Sequence, residues 1–282
     1  MMHTSSPLVS VVIPVFNGGD FLQQAVASVE NQTYDNVQLV LVDGGSSDGS
    51  REWIERCARE STCVHEFLPL GTPAAATWTR ATELADGTYT VLLCQDDVLY
   101  SHALESQVTM LDGFPHAAMV SAKRDIIDKK GGVIKRSRGA QGIAPGVHPG
   151  TSLIRVAFSR ATNVFGEPLA VLIRTEALRQ QLPWDDSHPF MLDLDMYRRV
   201  LAESFGVVSH DTVGAFRVSA SSWSTRLAKE QERQFAVWLD DAASILDPPP
   251  SSREHRRARR HLREQTLLRR GAYAWLDLRH RT

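Results

Sequence analysis

The chain has 282 residues, of which 43% are hydrophobic and 23% are charged, a composition typical of a soluble globular protein with a sizeable core. No apolar run approaches the roughly 18 residues that a membrane-spanning helix needs, and the first residues lack the basic and apolar segments of a secretory leader. The three cysteines show no metal-type spacing, which argues against a disulfide framework and a zinc knuckle. We therefore expect a reducing, cytoplasmic location.

The net charge of −2 is distributed unevenly along the chain. Residues 251–282 contain ten Arg and three acidic residues, which leaves 21 basic and 30 acidic residues in positions 1–250. A basic tail of this kind suits an anionic membrane face or a phosphate-rich partner. We expect peripheral contact with the inner face of the cell membrane, or a homodimer, through residues 225–282. A solvated helix face is the alternative, and no nucleic-acid partner is expected.

The first hundred residues alternate the patterns of strands and helices. Apolar runs predict four buried strands, at residues 9–15, 38–42, 64–68 and 89–94. Apolar residues at helical spacing lie between these runs and predict the intervening helices. Alternation of this kind indicates a mostly parallel α/β sheet flanked by helices, and residues 1–112 are predicted to form its first half.

The second half of the chain, residues 113–224, has a looser pattern. Gly131 and Gly132 predict a hairpin turn, and residues 137–152 are rich in Gly, Pro and Ser, which predicts a loop or a mobile lid. Helices are predicted at residues 193–202, 227–246 and 252–280. The last two make up the C-terminal helical extension.

Polar residues follow three of the predicted strands at the point where each strand ends. They are Phe16-Asn17, Asp43 and the pair Asp96-Asp97. Ligands of parallel α/β sheets bind at the carboxyl ends of the strands, so these groups are expected to share one crevice.

Each of these carboxylates has a chemical interpretation and a plain alternative. Adjacent carboxylates such as Asp96 and Asp97 suit Mg²⁺ or Mn²⁺, which fills its shell with phosphate oxygens and water, but they also suit a solvated turn. Asp43 precedes two glycines and can accept hydrogen bonds from a base or a ribose, or form the turn itself. Asp193 and Asp195 open a helix, where a carboxylate is also favoured by the helix dipole. Arg198 or Arg199 is placed to pair with Asp195.

Several ordered motifs together resemble family 2 glycosyltransferases. The resemblance spans about residues 8–225 and is most specific in the first hundred. It is carried by SVVIPVFN at 10–17, QTY at 32–34, VLVDGGSSDG at 40–49, GTY at 87–89, LLCQDD at 92–97, GEP at 166–168, LDLDMYRR at 192–199, and FRVS with SWS at 216–219 and 222–224.

This resemblance implies a GT-A fold and an inverting transfer of a sugar from a nucleotide-diphosphate donor to a glycan, lipid-linked or small-molecule acceptor. UDP- and dTDP-sugars are both plausible donors, and bacterial surface-polysaccharide assembly is the usual setting. Site roles then follow by position: Pro14 and Phe16 line the base, Asp43 hydrogen-bonds it, Asp96 meets the metal and the diphosphate, Asp193 is the general base, and Glu167 shapes the acceptor side. Trp184 and Trp223 are further acceptor candidates because aromatic faces stack on sugar rings.

The sequence departs from the family pattern around the metal. Cys94 stands at the first Asp of the DxD-like motif, Thr79 replaces an Asn beside the diphosphate, and Ser219 replaces a metal-binding His, with His210 nearby. Metal binding would then rest on Asp96, helped by Asp97. Asp193 is preferred to Asp195 as the base because Asp195 has ready Arg partners.

Two other functions are consistent with the same patterns. A non-catalytic sugar-nucleotide binder or scaffold of the same fold is motivated by Cys94 and the missing His. A nucleotidyltransferase is the third alternative, although its basic, Gly-rich loop after the first strand is not matched by residues 17–20.

Overall fold

A computed structural model of the protein describes residues 6–218 and 230–280, which form an α/β fold around one sheet. The strands are β1 Val9–Val15, β2 Val37–Asp43, β3 Cys63–Phe67, β4 Tyr89–Leu92, β5 Val98–Leu99, β6 Ala117–Ile127, β7 Val133–Arg138, β8 Gly146–Pro149, β9 Val171–Arg174 and β10 Phe205–Arg217. The helices are α1 Gly19–Glu30, α2 Ser50–Glu60, α3 Ala74–Glu83, α4 Ala103–Asp112, α5 Gly150–Arg160, α6 Thr175–Arg179, α7 Leu192–Leu201, α8 Gln231–Ile245 and α9 Ser252–His280.

The sheet has the order β3-β2-β1-β4-β9-β6-β10-β5, with β7 added beside β6 and β8 beside β10. Strands β3, β2, β1 and β4 are parallel, which confirms the predicted α/β alternation of the first half. The second half is mixed, because β9 runs antiparallel to both β4 and β6, while β6 and β10 are parallel. Parallel pairing is thus concentrated in the first half of the chain, where the sequence predicts it. Both halves of the chain contribute strands to one sheet.

The register of the parallel strands brings their carboxyl ends together. Val15 at the end of β1 lies opposite Asp43 at the end of β2. The backbone N–H of Leu93, just after β4, donates to the carbonyl of Val12 in β1 at 2.9 Å. The loops that follow β1, β2 and β4 therefore leave the sheet at the same edge.

Alternate residues of the central strands enter two separate cores, as the two-residue period of a strand requires. In β1, Val12 faces one side, whereas Val11 and Ile13 face the other. The first core is covered by α3, α5, α7, α8 and α9, and the second by α1, α2 and α4. Burial on both faces explains why β1 and β2 are continuous apolar runs.

Two features of the second half differ from the sequence patterns. Strand β10, with 13 residues, is interrupted by the polar segment 209–212, and register shifts occur there against β6, so no strand pattern predicted it. Residues 137–152, predicted as a loop, contain the end of β7, all of β8 and the start of α5. Pairing of β8 with β10 satisfies its backbone and overrides its Gly and Pro content. The hairpin at Gly131 and Gly132 is confirmed between β6 and β7.

The C-terminal extension packs on the first core. Helix α9 begins with a capping box, in which Ser251 and Glu254 exchange side-chain-to-backbone hydrogen bonds of 2.8 and 3.3 Å. Ala258 and Leu262 are buried, and Arg259 forms a 2.8 Å ion pair with Asp240 of α8. No helix within residues 6–218 or 230–280 is long and apolar enough to cross a membrane.

The docking of α9 is tested by two Leu→Ala substitutions on the same helix. Leu262 is 2% exposed and Leu267 is 68% exposed. We expect Leu262→Ala to lower the free energy of unfolding by about 2–5 kcal/mol and Leu267→Ala to change it by less than about 0.5 kcal/mol, as measured by urea denaturation. Equal effects from the two substitutions would contradict the packed position of α9.

Candidate functional site

The loop after β1 is held against the loop after β4 by one glutamine. The backbone N–H of Phe16 donates to Gln95 Oε1, and Gln95 Nε2 donates to the carbonyl of Phe16, both at 2.8 Å. A Cβ on Gly18 would lie 2.9 Å from Leu22 Cβ and 3.0 Å from the same Oε1, so a larger residue there would have to displace one of these side chains. Phe16 is 47% exposed, so its ring is available to a ligand, whereas Pro14 is buried within β1 and supports the loop from below.

The loop after β2 is tied to the same place. Asn17 has a positive φ of 54°, its N–H donates to Ser46 Oγ, and its Oδ1 accepts from the N–H of Ser47, each at 2.8 Å. Asp43 is 1% exposed, and both of its carboxylate oxygens accept from the N–H of Ser46 at 3.1 Å. Asp43 thus shapes the loop as well as lying at the position predicted to contact a base.

The turn after β4 is anchored by Arg217, the last residue of β10. The N–H of Arg217 donates to Asp97 Oδ1 at 2.9 Å, and its Nε donates to the carbonyl of Asp96 at 2.8 Å. Its guanidinium also donates to the carbonyls of Asp128 and Lys129 in the β6–β7 turn and to Gln24 Oε1 of α1. This buried side chain therefore joins three elements to the turn that carries Asp96.

Asp96 and Asp97 differ in their surroundings. Asp97 is fully buried, and burial followed by repulsion from Asp96 raises its pKa well above the usual range. Asp97 Oδ1 accepts from the Arg217 N–H, so Asp97 supports the turn, and its predicted role as a metal ligand stays a prediction. Asp96 is half-buried, and its carboxylate makes no hydrogen bond or ion pair with another described residue, although its own backbone N–H donates to it. Burial raises its pKa as well, although Arg217 opposes this effect.

The residues at this turn fit a divalent cation through Asp96 alone. Within residues 6–218 and 230–280, no group of three His, Cys, Asp or Glu side chains is placed to hold a metal ion. Burial raises the pKa of the Cys94 thiol, which leaves it neutral and a poor ligand for a hard cation. Mg²⁺ is commonly held by one or two carboxylates together with substrate phosphates and water, and a half-buried carboxylate without a partner suits that arrangement.

A second carboxylate, Asp193, approaches the crevice from α7. Its Oδ1 accepts from the N–H of Leu194 at 2.7 Å, and its Oδ2 accepts from Asn163 Nδ2 at 3.2 Å. Asn163 also binds the backbone of Gly166 through both ends of its amide, at 3.0 Å each. Next to Gly166, Glu167 is paired with the buried Arg124 of β6. Asn163 therefore fixes the position of Asp193 relative to the segment that carries Glu167.

The environment of Asp193 suits a base that works near neutral pH. Burial is the main cause that raises its pKa to about 7, and Glu167 adds to the effect, whereas the Leu194 N–H and Arg124 oppose it. Asp193 and Glu167 both contribute to raising the pKa of Cys94, as do Asp96 and Asp97. These four carboxylates are therefore all close enough to Cys94 to affect its pKa.

The remaining predicted site residues lie elsewhere. Asp195 is paired with Arg198 and Arg199 at 2.5 and 3.0 Å, as its spacing predicts. His210 donates to or accepts from the carbonyl of Ile143 at 2.9 Å on the far part of β10.

Trp184, which the sequence predicts to contact the acceptor, is buried, and its side chain is 3% exposed. Its indole Nε1 donates to Thr82 Oγ1 at 3.0 Å, and its ring packs edge-on against Trp78. Trp184 is therefore part of the core. Trp223 lies outside the described residues.

Four residues of the site carried no recognised role in the sequence: Gln95, Arg124, Asn163 and Arg217. Gln95 and Arg217 stood within motifs of the resemblance, which was the available signal. Arg124 and Asn163 act through backbone groups or through partners distant in the chain, and neither spacing nor composition reports such contacts.

Arg217 is expected to be essential for the shape of this site. Arg217→Gln leaves several buried carbonyls unpaired, so we expect a loss of about 3–5 kcal/mol in the free energy of unfolding. Arg136→Gln is the matched control, because that side chain is 75% exposed and 3.6 Å from its Asp125 partner, a surface pair worth less than about 1 kcal/mol. Urea denaturation measures both, and a loss below 1 kcal/mol for Arg217→Gln would refute the anchoring role.

Comparison with known proteins finds relatives among glycosyltransferases. The sequence model of Glycosyl transferase family 2 matches residues 10–182. A Haemophilus influenzae protein described as an uncharacterized glycosyltransferase is 34% identical over 131 residues, which is 46% of this chain and 52% of that protein. The match thus spans about half the length of that relative.

Solved structures share the fold at low sequence identity. Staphylococcus aureus TarS 1–349 in complex with UDP-GlcNAc aligns with a TM-score of 0.64 at 15% identity, covering 85% of this chain and 70% of that one. The mannosyltransferase PcManGT from Pyrobaculum calidifontis, in complex with GDP-Man and Mn²⁺, aligns with a TM-score of 0.59 at 16% identity, covering 95% and 80%. Because the family model matches more than half of the chain, the protein belongs to glycosyl transferase family 2 and has a GT-A type fold.

Proposed function

We propose that the protein is an inverting glycosyltransferase that moves a sugar from a nucleotide-diphosphate donor to an acceptor hydroxyl, with Asp193 as the general base. The observation that carries this proposal is that two carboxylates with different surroundings, Asp96 and Asp193, are both close enough to Cys94 to raise its pKa. Asp96 follows β4 beside the loops after β1 and β2, and Asp193 enters from α7 with a pKa raised to about 7. A donor bound at the strand ends would lie between these two groups.

The chemistry requires one base opposite the leaving group. Asp193 accepts the proton of the acceptor hydroxyl while the hydroxyl oxygen forms a bond to the anomeric carbon of the donor sugar. The bond from that carbon to the diphosphate oxygen breaks, and its electron pair leaves with the nucleoside diphosphate. Attack from the side opposite the leaving group inverts the anomeric centre, as in inverting glycosidases that place a base across the ring. A carboxylate with a pKa near 7 is well suited to this proton transfer.

The donor side is assigned to the three strand-end loops. The exposed ring of Phe16 offers a stacking face to a base, and Asp43 lies at the end of β2 with lone pairs left for a hydrogen bond. A divalent cation, when bound, would be held by Asp96 together with the donor phosphates and would neutralise charge on the departing diphosphate. The UDP-GlcNAc and GDP-Man complexes of the two structural neighbours support a sugar-nucleotide donor. UDP- and dTDP-sugars are our first candidates.

We assign acceptor binding to Glu167 and the segment around it. The acceptor is a glycan, a lipid-linked sugar or a small molecule in polysaccharide assembly.

Helix α9 carries a basic patch formed by Arg253, Arg256, Arg257 and Arg260. This patch supports peripheral contact with an anionic membrane face or with a second copy of the chain. Sedimentation with anionic vesicles should fall severalfold when these four residues become Gln. Unchanged sedimentation would contradict the membrane contact.

Donor binding is expected to depend on Asp96. Calorimetric titration with UDP-, dTDP- and GDP-sugars should give binding that Mn²⁺ strengthens in the wild type, and Asp96→Ala should lose that increase, which we expect to be about tenfold or more. Asp241→Ala, an exposed carboxylate on α8, is the matched control and should bind as the wild type. Failure of every donor to bind would contradict the transferase proposal.

The role of Asp193 is tested by slow hydrolysis of the donor, in which water replaces the acceptor. Asp193 must be deprotonated to accept a proton, so the rate with bound donor should rise with pH and level off above about 7. Asp193→Asn should lower the plateau by at least about 100-fold at unchanged donor affinity.

Asp195→Asn, two residues along the same helix, is the control for Asp193→Asn and should retain both the rate and the pH profile. A wild type that binds donor without any turnover would favour the non-catalytic binder. An unchanged rate in Asp193→Asn would assign the base elsewhere.

A further inference from the structure

A cavity of about 460 Å³ is lined in part by Asn163, which also donates a hydrogen bond to Asp193. It is bordered by the end of β7 and the loop after it, the end of α5 and the loop after it, and helix α9. Its lining residues are Arg124, Arg138, Gly139, Gln141, Arg160, Thr162, Asn163, Val164, His261, Glu264 and Gln265. The volume is within the range of small-molecule sites and accommodates a sugar unit with a charged substituent.

Three guanidinium groups line this cavity, and two of them have no carboxylate partner within residues 6–218 and 230–280. Arg124 is paired with Glu167. Arg160 donates to the carbonyl of Gln141, and Arg138 makes no side-chain hydrogen bond or ion pair with the described residues. The single carboxylate of the lining, Glu264, lies 3.7 Å from Arg260. The cavity therefore has an excess of positive charge that the described residues do not neutralise.

Two residues that line the cavity also contact Asp193 or its neighbour Glu167. Asn163 lines it and donates to Asp193 Oδ2 at 3.2 Å. Arg124 lines it and pairs with Glu167, one of the groups that raise the pKa of Asp193. A group bound in the cavity would thus lie one side chain away from the base, on the side assigned to the acceptor.

The guanidinium of Arg217, on the donor side, already donates hydrogen bonds to other groups of the protein, in contrast to the side chain of Arg138 in the cavity. The guanidinium of Arg217 donates to three backbone carbonyls and to Gln24. Arg138 and Arg160 of the cavity, in contrast to Arg217, have no carboxylate partner among the described residues and are available for an anion.

We propose that this cavity binds an anionic group of the acceptor, a carboxylate or a phosphate on an acceptor sugar, through Arg138 and Arg160. Guanidinium groups bind both anions through paired N–H donors. Held there, the charged group orients the rest of the acceptor toward Asp193. This inference rests on the proposed transferase function and adds to it the chemical class of the acceptor.

Binding of defined probes to the 282-residue chain tests the proposal. Glucuronate, glucose 6-phosphate and uncharged glucose are titrated separately and followed by ligand-observed NMR. We expect one or both anionic sugars to bind and glucose to bind at least tenfold more weakly. The two anionic probes distinguish a carboxylate from a phosphate acceptor. Equal binding of glucose, or no binding of either anion, would overturn the proposal.

Variants then locate the binding. Arg138→Gln and Arg160→Gln should each weaken the anionic probe at least fivefold. Arg136→Gln is the matched control, because it lies on the same strand with the same change of charge and does not line the cavity. Equal weakening by all three variants would indicate general electrostatic attraction and overturn the site.

Because Arg160 supports the loop at Gln141, a folding defect there is anticipated, and the decisive variant is Arg138→Gln, whose side chain is exposed and makes no hydrogen bond with the described residues. Unchanged affinity in Arg138→Gln would contradict its role. Protection of Arg138 and Arg160, but not Arg136, from a dicarbonyl reagent by the anionic probe supplies an independent readout by mass spectrometry.

Donor titration of the same variants separates this inference from the proposed function. If Arg138→Gln binds the donor as the wild type does but no longer binds the anionic probe, both the acceptor site and the transferase function are supported. Donor binding and turnover without any anion binding overturn the acceptor site alone. Absence of donor binding and turnover in the wild type overturns the transferase function itself.

Discussion

The buried guanidinium of Arg217 is the contact on which the geometry of the site depends. A buried guanidinium lowers the stability of the fold unless its N–H groups find hydrogen-bond acceptors. Those of Arg217 donate to the turn after β4, to the β6–β7 turn and to α1. The backbone N–H of the same residue binds Asp97, so the end of β10 and the turn of Asp96 are fixed to one another. Elements separated by more than a hundred residues are thereby held at one edge of the sheet.

A second network organises the opposite side of the crevice. Asn163 uses its amide to hold Gly166 and Asp193, and Arg124 pairs with Glu167 beside them. The result is a carboxylate, Asp193, whose pKa is raised and which has hydrogen-bond donors to orient it but no direct ion pair with a residue that the structure describes. Asp195, only two residues away, is neutralised by two arginines. The different partners of two aspartates on one helix make one a candidate base and the other a structural residue.

The C-terminal extension links the fold to the acceptor side. Ala258 and Leu262 pack α9 on the first core, while the same helix contributes three residues to the wall of the arginine-lined cavity. An Arg-rich helix at the end of a chain is therefore partly core, partly cavity wall and partly exposed basic surface. Its charge alone did not distinguish these roles, because each depends on which face of the helix meets α5 and α8.

The sequence by itself determined the parallel first half of the sheet, since strands buried on both faces are continuous apolar runs and their strand-end polar residues stand out. The sequence also placed Asp96 directly after a strand and predicted that Asp195 pairs with an arginine of the same helix. Both are local properties, because one depends on neighbouring residues and the other on helical spacing. Only the tertiary structure showed that Trp184 and Asp97 are buried, because their burial depends on packing against residues distant in the chain. It also showed that β10 continues through the polar segment 209–212, which has no strand pattern in the sequence. It alone assembled the contacts of Arg217 and Asn163, because hydrogen bonds between distant segments leave no periodic trace in a sequence.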